Sequence, residues 1–412
     1  MKPLLISTSD IDGGAARATY RLHQGLQSIN VDSQMLVQNK QSTDYTVINP
    51  TSKLSKGIGK LKPTLDSLPL QIYPQRDRST YSVQWLPDNL AAQVAQINPD
   101  VINLHWINSG YLKIETIAKF KKPIVWTLHD MWAFTGGCHY NGDCMNYTTS
   151  CGNCPQLHSH IETDLSRWIW KRKARAWQNL SLTIVTPSHW LAKCAASSSL
   201  LKDTRIEVIP NGINTEQYKP IEKSIARSIL SLPEDKQLIL FGAMSVTSDP
   251  RKGFNFLQSA LQNLSQSGWR ERLELVVFGS SQPKNPTKLG FKSHYLGRLN
   301  DDISLSLVYA AADVFLAPSV QDNLPNTVME SLACGTPCVA FDIGGMPDMI
   351  EHQQNGYLAK HFDIEDLARG IAWVLEDEER LQKLGVNGRE KVEQNFTLEI
   401  QANNYLSVYQ DI

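Results

Sequence analysis

The chain has 412 residues, 42% hydrophobic and 20% charged, with 40 basic against 41 acidic side chains and a formal net charge of −1. That length exceeds what one hydrophobic core usually supports and points to two domains, and the composition excludes intrinsic disorder. Near-neutral charge leaves no global electrostatic case for a nucleic-acid partner.

The opening Met1-Lys-Pro-Leu-Leu-Ile-Ser has too short an apolar run for an export signal and reads as a first buried strand, Leu4–Thr8. No stretch approaches the roughly 20 apolar residues of a membrane span. The expectation is a soluble cytoplasmic protein whose seven cysteines are mostly reduced. Asp10-Ile-Asp-Gly-Gly leads into a helix through about Ser28, and Gly13-Gly14 is a phosphate-approach loop of the less specific kind. Asp10-x-Asp12 sits in a first-strand loop beside glycines, where solvation and capping explain it better than a metal does.

From about Asn39 to Ser82 the periodicity breaks. Lys53, Lys56, Lys60 and Lys62 lie among Leu54, Ile58 and Leu61, which reads as a solvated excursion in preference to a membrane-surface contact at 53–62. Two further strands end in polar clusters: Val101-Ile-Asn-Leu in His105-Trp106, and Pro123-Ile-Val-Trp in His129-Asp130. Ligands collect at the carboxyl ends of strands in open parallel sheets, so these residues, with Trp132, are acceptor-side candidates. In the loop 136–157, Cys151-x2-Cys154 has zinc-knuckle spacing while Cys138 and Cys144 are further apart. A structural zinc on the four is one reading and packed, reduced thiols are another; disulfides fit a reducing compartment less well. The run 167–177 is basic and aromatic together, and suits either an anionic membrane surface or a helix with its tryptophans in the core.

Leu182-Thr-Ile-Val-Thr is another buried strand, and residues 215–236, polar with Pro220 and Pro233, read as a linker. Gln237–Gly242 and Leu273–Gly279 then repeat the strand-then-glycine theme, and His294-Tyr-Leu-Gly297 does so again. Between the first two lies Asp249-Pro-Arg-Lys-Gly, where Arg251 and Lys252 can meet the charge of a leaving diphosphate without a metal. In the stretch 317–350, Asp322 precedes a short helix and Glu330 lies inside it. Asn323 and Asn326 are candidate N-caps, Pro325 suits the first turn, and Gly335-Thr-Pro closes the helix. Val339-Ala-Phe reads as a strand and Gly344-Gly345 as a loop with unusual backbone angles. A helix start attracts phosphate and a carboxylate accepts from sugar hydroxyls, so this stretch suits a phosphorylated sugar.

Asp322-x7-Glu330, Gly335-Thr-Pro-Cys-Val and Gly344-Gly-Met-Pro-Asp resemble the donor-site signature of retaining GT-B-fold glycosyltransferases of family 4, Glu-x7-Glu followed by such a turn. The resemblance implies an α/β fold of two doubly wound Rossmann-like domains facing each other across a cleft. Residues 1–215 would be the acceptor side, 216–396 the nucleotide-sugar side, and 397–412 a helix crossing back. It further implies Glu330 on the ribose hydroxyls, Asp322 on the donor sugar, Lys252 with Arg251 on the pyrophosphate, and His129 near the reacting sugar. Gly13, Gly14, Gly242, Gly297, Asn323, Leu324, Pro325, Asn326 and Thr327 would line the donor. Two positions depart from the pattern: Asp322 is one methylene shorter than Glu, and Ala243 stands where the family has Arg, a role Arg251 is expected to take over.

The runs Leu-His-Trp-Ile, Trp-Thr-Leu-His-Asp-Met-Trp and Cys-Gly-Asn-Cys-Pro between Asn103 and Leu157 resemble a colanic-acid-type subgroup of the same family. That implies a surface-polysaccharide or glycolipid acceptor. A UDP- or GDP-sugar donor and no required cofactor are expected with it, in a cytoplasmic protein for which 53–62 or 167–177 is the candidate contact with the inner face of the plasma membrane. Two alternatives stay open: a 2-epimerase or phosphorylase of the same fold, and a non-catalytic sugar-nucleotide-binding module.

Overall fold

A computed structural model describes residues 1–50, 52–242, 249–279, 281–282, 289–299 and 301–412. Ala243 therefore lies outside the described residues. The chain divides into two compact units, Met1–Gly212 with Leu398–Ile412, and Ile213–Thr397.

The first unit is built on a seven-stranded sheet of β1 (Pro3–Ser9), β2 (Gln34–Asn39), β3 (Val47–Ile48), β4 (Val101–Leu104), β5 (Ile124–Thr127), β6 (Leu182–Thr186) and β7 (Arg205–Val208). The strands pair in parallel in the order β3-β2-β1-β4-β5-β6-β7. Parallel strands need crossovers over both faces, so their residues are apolar without alternation, and the two faces have separate cores. Leu4, Ile6, Leu104 and Trp126 face one core, Leu5, Val101 and Val125 the other. The second core is closed by the C-terminal helix Leu398–Gln410. Its Tyr405 and Tyr409 hydroxyls reach Thr127 at 2.9 Å and Asn103 at 2.7 Å. Gly25 permits the contact, since a Cβ there would meet the Leu398 carbonyl oxygen at 2.7 Å.

The second unit repeats the plan with β8 (Gln237–Gly242), β9 (Leu273–Phe278), β10 (Ser293–Tyr295), β11 (Val314–Ala317), β12 (Cys338–Phe341) and β13 (Gly356–Ala359), ordered β10-β9-β8-β11-β12-β13 and parallel. Leu238, Ile239, Leu240 and Phe241 are all buried; each such side chain contributes about 1.5–3 kcal/mol on leaving water. In both sheets the order reverses beside the first strand, between β1 and β4 and between β8 and β11. Connections leave a switch point in opposite directions and open a crevice at the carboxyl ends, where ligands gather.

Three readings from sequence change here. The excursion after β3 is ordered as a helix, Lys53–Asp66, and a 3-10 turn, Leu68–Ile72. Buried Asp66 pins the following chain by accepting from Val83 N at 3.0 Å. The polar linker contains the helix Lys223–Leu230, whose buried Arg227 pairs with Asp313 at 2.7 Å, so it belongs to the second unit's core. The short helix in the signature runs Asn326–Ala333 with Pro325 at its N-cap, leaving neither Asn323 nor Asn326 in the capping position.

Candidate active site

The second unit's site grows from loops leaving β8, β11 and β12. Asp249 caps a 3-10 turn, Pro250–Lys252, accepting from Arg251 N, and Gly253 ends it at φ +68°. A side chain on Gly253 would collide with the Pro318 carbonyl oxygen, so glycine lets this loop lie against the one after β11. Val320 N donates to the Arg251 carbonyl at 2.8 Å and fixes the two loops together. On the other side Gly344, φ +53°, leaves no room for a Cβ against the Asp322 carbonyl oxygen, to which Gly345 N donates at 3.2 Å. Two close backbone approaches thus clamp the Asp322 loop.

The clamp delivers Asp322, 7% exposed, to Lys252 Nζ at 2.7 Å and to an Arg251 Nη at 3.2 Å. Ser319 Oγ donates to the same carboxylate at 3.3 Å and Asn323 N at 3.0 Å. Burial works against ionisation of Asp322, but Lys252 and Arg251 together outweigh it and hold its pKa at about 2. Arg251 is further tied to the Gln321 carbonyl at 2.8 Å and to Asp249 at 3.2 Å, whereas Lys252 reaches the carboxylate on a flexible stem. Glu330, 3% exposed, lies in the helix Asn326–Ala333, and its Oε2 accepts from the Tyr309 hydroxyl at 3.1 Å. Of the other donor-side candidates, Asn323 and Leu324 are buried and Pro325, Asn326 and Thr327 half-buried at the helix start. Gly242 ends β8, and Gly297 follows β10, its carbonyl accepting from Gly279 N at 2.7 Å. Gly13 and Gly14 belong to the first unit, where they open the helix Gly14–Ser28; the space in front of Gly13 is clear for 4 Å.

The acceptor-side candidates fall at the carboxyl ends of β4 and β5. His105 Nδ1 and His129 Nε2 are 3.0 Å apart with the rings stacked, so one nitrogen donates and the other accepts. Burial lowers His129 to about 4, with Asp130 opposing; burial and then His129 depress His105 further. Both imidazoles are neutral at pH 7. His105 Nε2 is buried with no hydrogen-bond partner among the described residues. Asp130 accepts from Trp106 Nε1 at 2.9 Å, from His139 at 2.6 Å and from Trp132 N at 2.8 Å. Burial opposes its ionisation and His139 more than compensates, so the carboxyl sits low.

Several candidates are corrected. Trp132 is 1% exposed, donates to the Ser82 carbonyl at 2.9 Å, and packs with Trp126 and Trp177; it is core and cannot meet an acceptor. In helix Leu165–Trp177, Arg172 pairs with Glu115 at 2.7 Å, Arg167 with Glu162 at 3.2 Å, and Lys173 is buried over the Trp132 ring, while Trp168, Lys171 and Arg175 are exposed. One face of the helix, with Ile169, Lys173 and Trp177, is core. Among the described residues no group of three or more His, Cys, Asp or Glu side chains is placed to hold a metal ion. Cys138, Cys144, Cys151 and Cys154 are free, and burial pushes the Cys151 thiol up to about 12. The four thiols share one loop, which is closed by other bonds such as Cys154 N to Asp164 at 2.8 Å. Asp10 is fully buried and takes the backbone N–H groups of Ile11, Gln41 and Ser42, a loop-pinning role.

Sequence reasoning passed over Tyr309, Ser319 and His139. Tyr309 sits in an apolar helix and reads as packing, and nothing local to the sequence pairs it with Glu330. A cavity of about 920 Å³ opens at the amino ends of β8, β11 and β12, beside Gln237, Asp313 and Pro337. It is away from Asp322 and Glu330, and its Arg227 and Lys223 are already engaged by Asp313.

The family profile described as "Glycosyltransferase Family 4" matches residues 12–217, half of the chain, and "Glycosyl transferases group 1" matches residues 222–391. The chain belongs to glycosyltransferase family 4. A D-inositol 3-phosphate glycosyltransferase of Segniliparus rotundus is 29% identical over 193 residues, 45% of this chain and 42% of that protein. The putative colanic acid biosynthesis glycosyl transferase WcaC of Escherichia coli is 25% identical over 265 residues, 59% of this chain and 60% of that protein. The chain spans about half the length of the curated relatives it matches. Among solved structures, Anabaena Alr3699/HepE in complex with UDP superposes with a TM-score of 0.67 at 17% identity, over 100% of each chain. The two parallel-sheet units are the GT-B architecture of this family. No helix among the described residues is long and apolar enough to cross a membrane.

Proposed function

We propose that the chain is a retaining glycosyltransferase that moves a hexose-type sugar from a UDP- or GDP-sugar to a saccharide or lipid-linked saccharide of the cell surface. The observation that carries the reading is the cluster of buried Asp322 with half-buried Lys252 and Arg251, and buried Glu330 inside the following helix. Glu330 takes the ribose hydroxyls and Asp322 the donor sugar. Lys252 and Arg251 neutralise the diphosphate as it leaves, which is the electrostatic help this reaction needs, and they supply it without a divalent ion. Departure of the diphosphate develops an oxocarbenium-like sugar, and the acceptor hydroxyl attacks from the face the diphosphate leaves. His129, neutral at working pH, contacts the sugar; Trp106 and Asp130 lie on the acceptor side with His105.

UDP bound to a structural neighbour and the colanic-acid name of a relative support the donor class and the surface-polysaccharide acceptor. Peripheral contact with the inner leaflet of the plasma membrane is supported by one surface. Ile58, Leu61, Leu65, Leu68 and Ile72 are 47%, 60%, 39%, 40% and 77% exposed, in a run with four lysines and no acid between 53 and 65. The deciding experiment is transfer from radiolabelled UDP- and GDP-sugars to lipid-linked saccharides, with chelator present. Glu330→Gln is expected to weaken donor use about tenfold to a hundredfold, through loss of a charge-assisted contact. Unchanged kinetics in that variant would overturn the reading.

A further inference from the structure

Glu330 cannot act as a ribose-gripping carboxylate unless its orientation is set. A glutamate side chain that is free to rotate gives up about 1.5–2 kcal/mol of rotamer entropy when a ligand fixes it. Here that cost is met before the ligand arrives. Tyr309, fully buried on the helix Asp302–Ala311, donates its hydroxyl to Glu330 Oε2 at 3.1 Å. Its ring stands edge-on to Phe278, centroids 5.8 Å apart at 74°, and to Phe315, 5.5 Å at 80°. Its backbone is held as well: Thr336 Oγ1 donates to the Tyr309 carbonyl at 2.7 Å, and Ser331 Oγ to the Thr336 carbonyl at 2.9 Å. Ser331 is the residue after Glu330, so the helix bearing the acid and the helix bearing the phenol are locked at both the side chain and the turn. A buried phenol with a single acidic acceptor and a ring clamped on two sides is a rigid arm.

We propose that Tyr309 is a positioning residue that orients Glu330 and thereby sets the preference of the donor site for ribose over 2′-deoxyribose. The inference rests on the donor reading above. Tyr309 itself touches no substrate; it acts through the carboxylate it holds.

The test compares binding of UDP and 2′-deoxy-UDP by calorimetry in the wild-type chain, Tyr309→Phe and Glu330→Gln, at one salt concentration. The wild-type chain is expected to favour UDP. Tyr309→Phe keeps the ring between Phe278 and Phe315, and is expected to lower the UDP to 2′-deoxy-UDP ratio about fivefold to tenfold by weakening UDP alone. A loss of packing would weaken both ligands together. Incorporating 3-fluorotyrosine at position 309, which keeps the ring and strengthens the donor, is expected to restore the ratio. A ratio in Tyr309→Phe equal to wild type, with Glu330→Gln collapsing it, overturns the positioning role and leaves the donor site standing. A ratio unchanged in Glu330→Gln overturns the donor reading and the positioning role with it.

Discussion

Asp322 is the acid expected to hold the donor sugar, yet in the unliganded chain it is the partner of both cations that a diphosphate would use. The arrangement predicts opposite effects on two ligands when its charge is removed. The attraction can be sized from the carboxyl itself: its pKa falls from 3.8 to about 2 even though burial pushes the other way. Each unit corresponds to 1.36 kcal/mol, so Lys252 and Arg251 favour the ionised acid by about 2 kcal/mol net. Asp322→Asn preserves shape and removes that attraction, releasing Lys252, leaving Arg251 with Asp249 and the Gln321 carbonyl, and deleting the repulsion a diphosphate would meet. Bare UDP or GDP is then expected to bind about threefold to thirtyfold more tightly, the upper value being the full 2 kcal/mol. Sugar transfer is expected to fall, because the sugar hydroxyls lose a charged acceptor. Calorimetric titration of the free diphosphate, paired with turnover of the nucleotide sugar, reads both. A diphosphate that binds no better to Asp322→Asn than to wild type would refute the reasoning, since the cations would not then be the diphosphate's ligands. The same shift has a stability signature of fixed sign. The folded pKa is depressed, so the contribution is present above about pH 4 and disappears as pH falls towards about 2.

Gly344→Ala should cost about 2–4 kcal/mol, from the left-handed φ of +53° and the collision with the Asp322 carbonyl, and should weaken diphosphate binding; a melt and a titration check both. His129 sits at about 4 in the fold, so it should add no inflection to kcat/KM between pH 6 and 8. Its preference for the neutral form stabilises the fold above about pH 6.5 and is lost as pH falls through about 4; an inflection near 7 that vanishes in His129→Asn would contradict this. Leu61→Asp with Ile72→Asp should reduce sedimentation with phosphatidylglycerol vesicles about tenfold or more, leaving UDP binding unchanged; equal sedimentation would remove the 58–72 surface as a lipid contact.

The strand-loop-helix order of both units was legible because parallel strands buried on two faces must be apolar throughout, as in Leu238–Phe241, and glycines must follow where loops approach closely. The spacing of Asp322 and Glu330 was legible for a similar reason: both lie on one continuous segment, where local geometry and family pattern coincide. What sequence could not supply were partnerships across distance. Lys252 and Asp322 meet because two glycines let three loops touch, and Tyr309 meets Glu330 because the helices Asp302–Ala311 and Asn326–Ala333 pack against each other. The basic, aromatic run 167–177 shows the converse. Its charge suggested a surface, but tertiary packing gave Arg172 and Lys173 internal acceptors and Trp177 a place in the core, while Lys171 and Arg175 stay exposed. Periodicity and spacing are properties of one segment; they marked the strands and the acid pair, and the family resemblance carried these to a fold class and to candidate roles. Whether a charge faces water, a ligand or a neighbour depends on which segments the folded chain places beside it, and only the tertiary structure decided that.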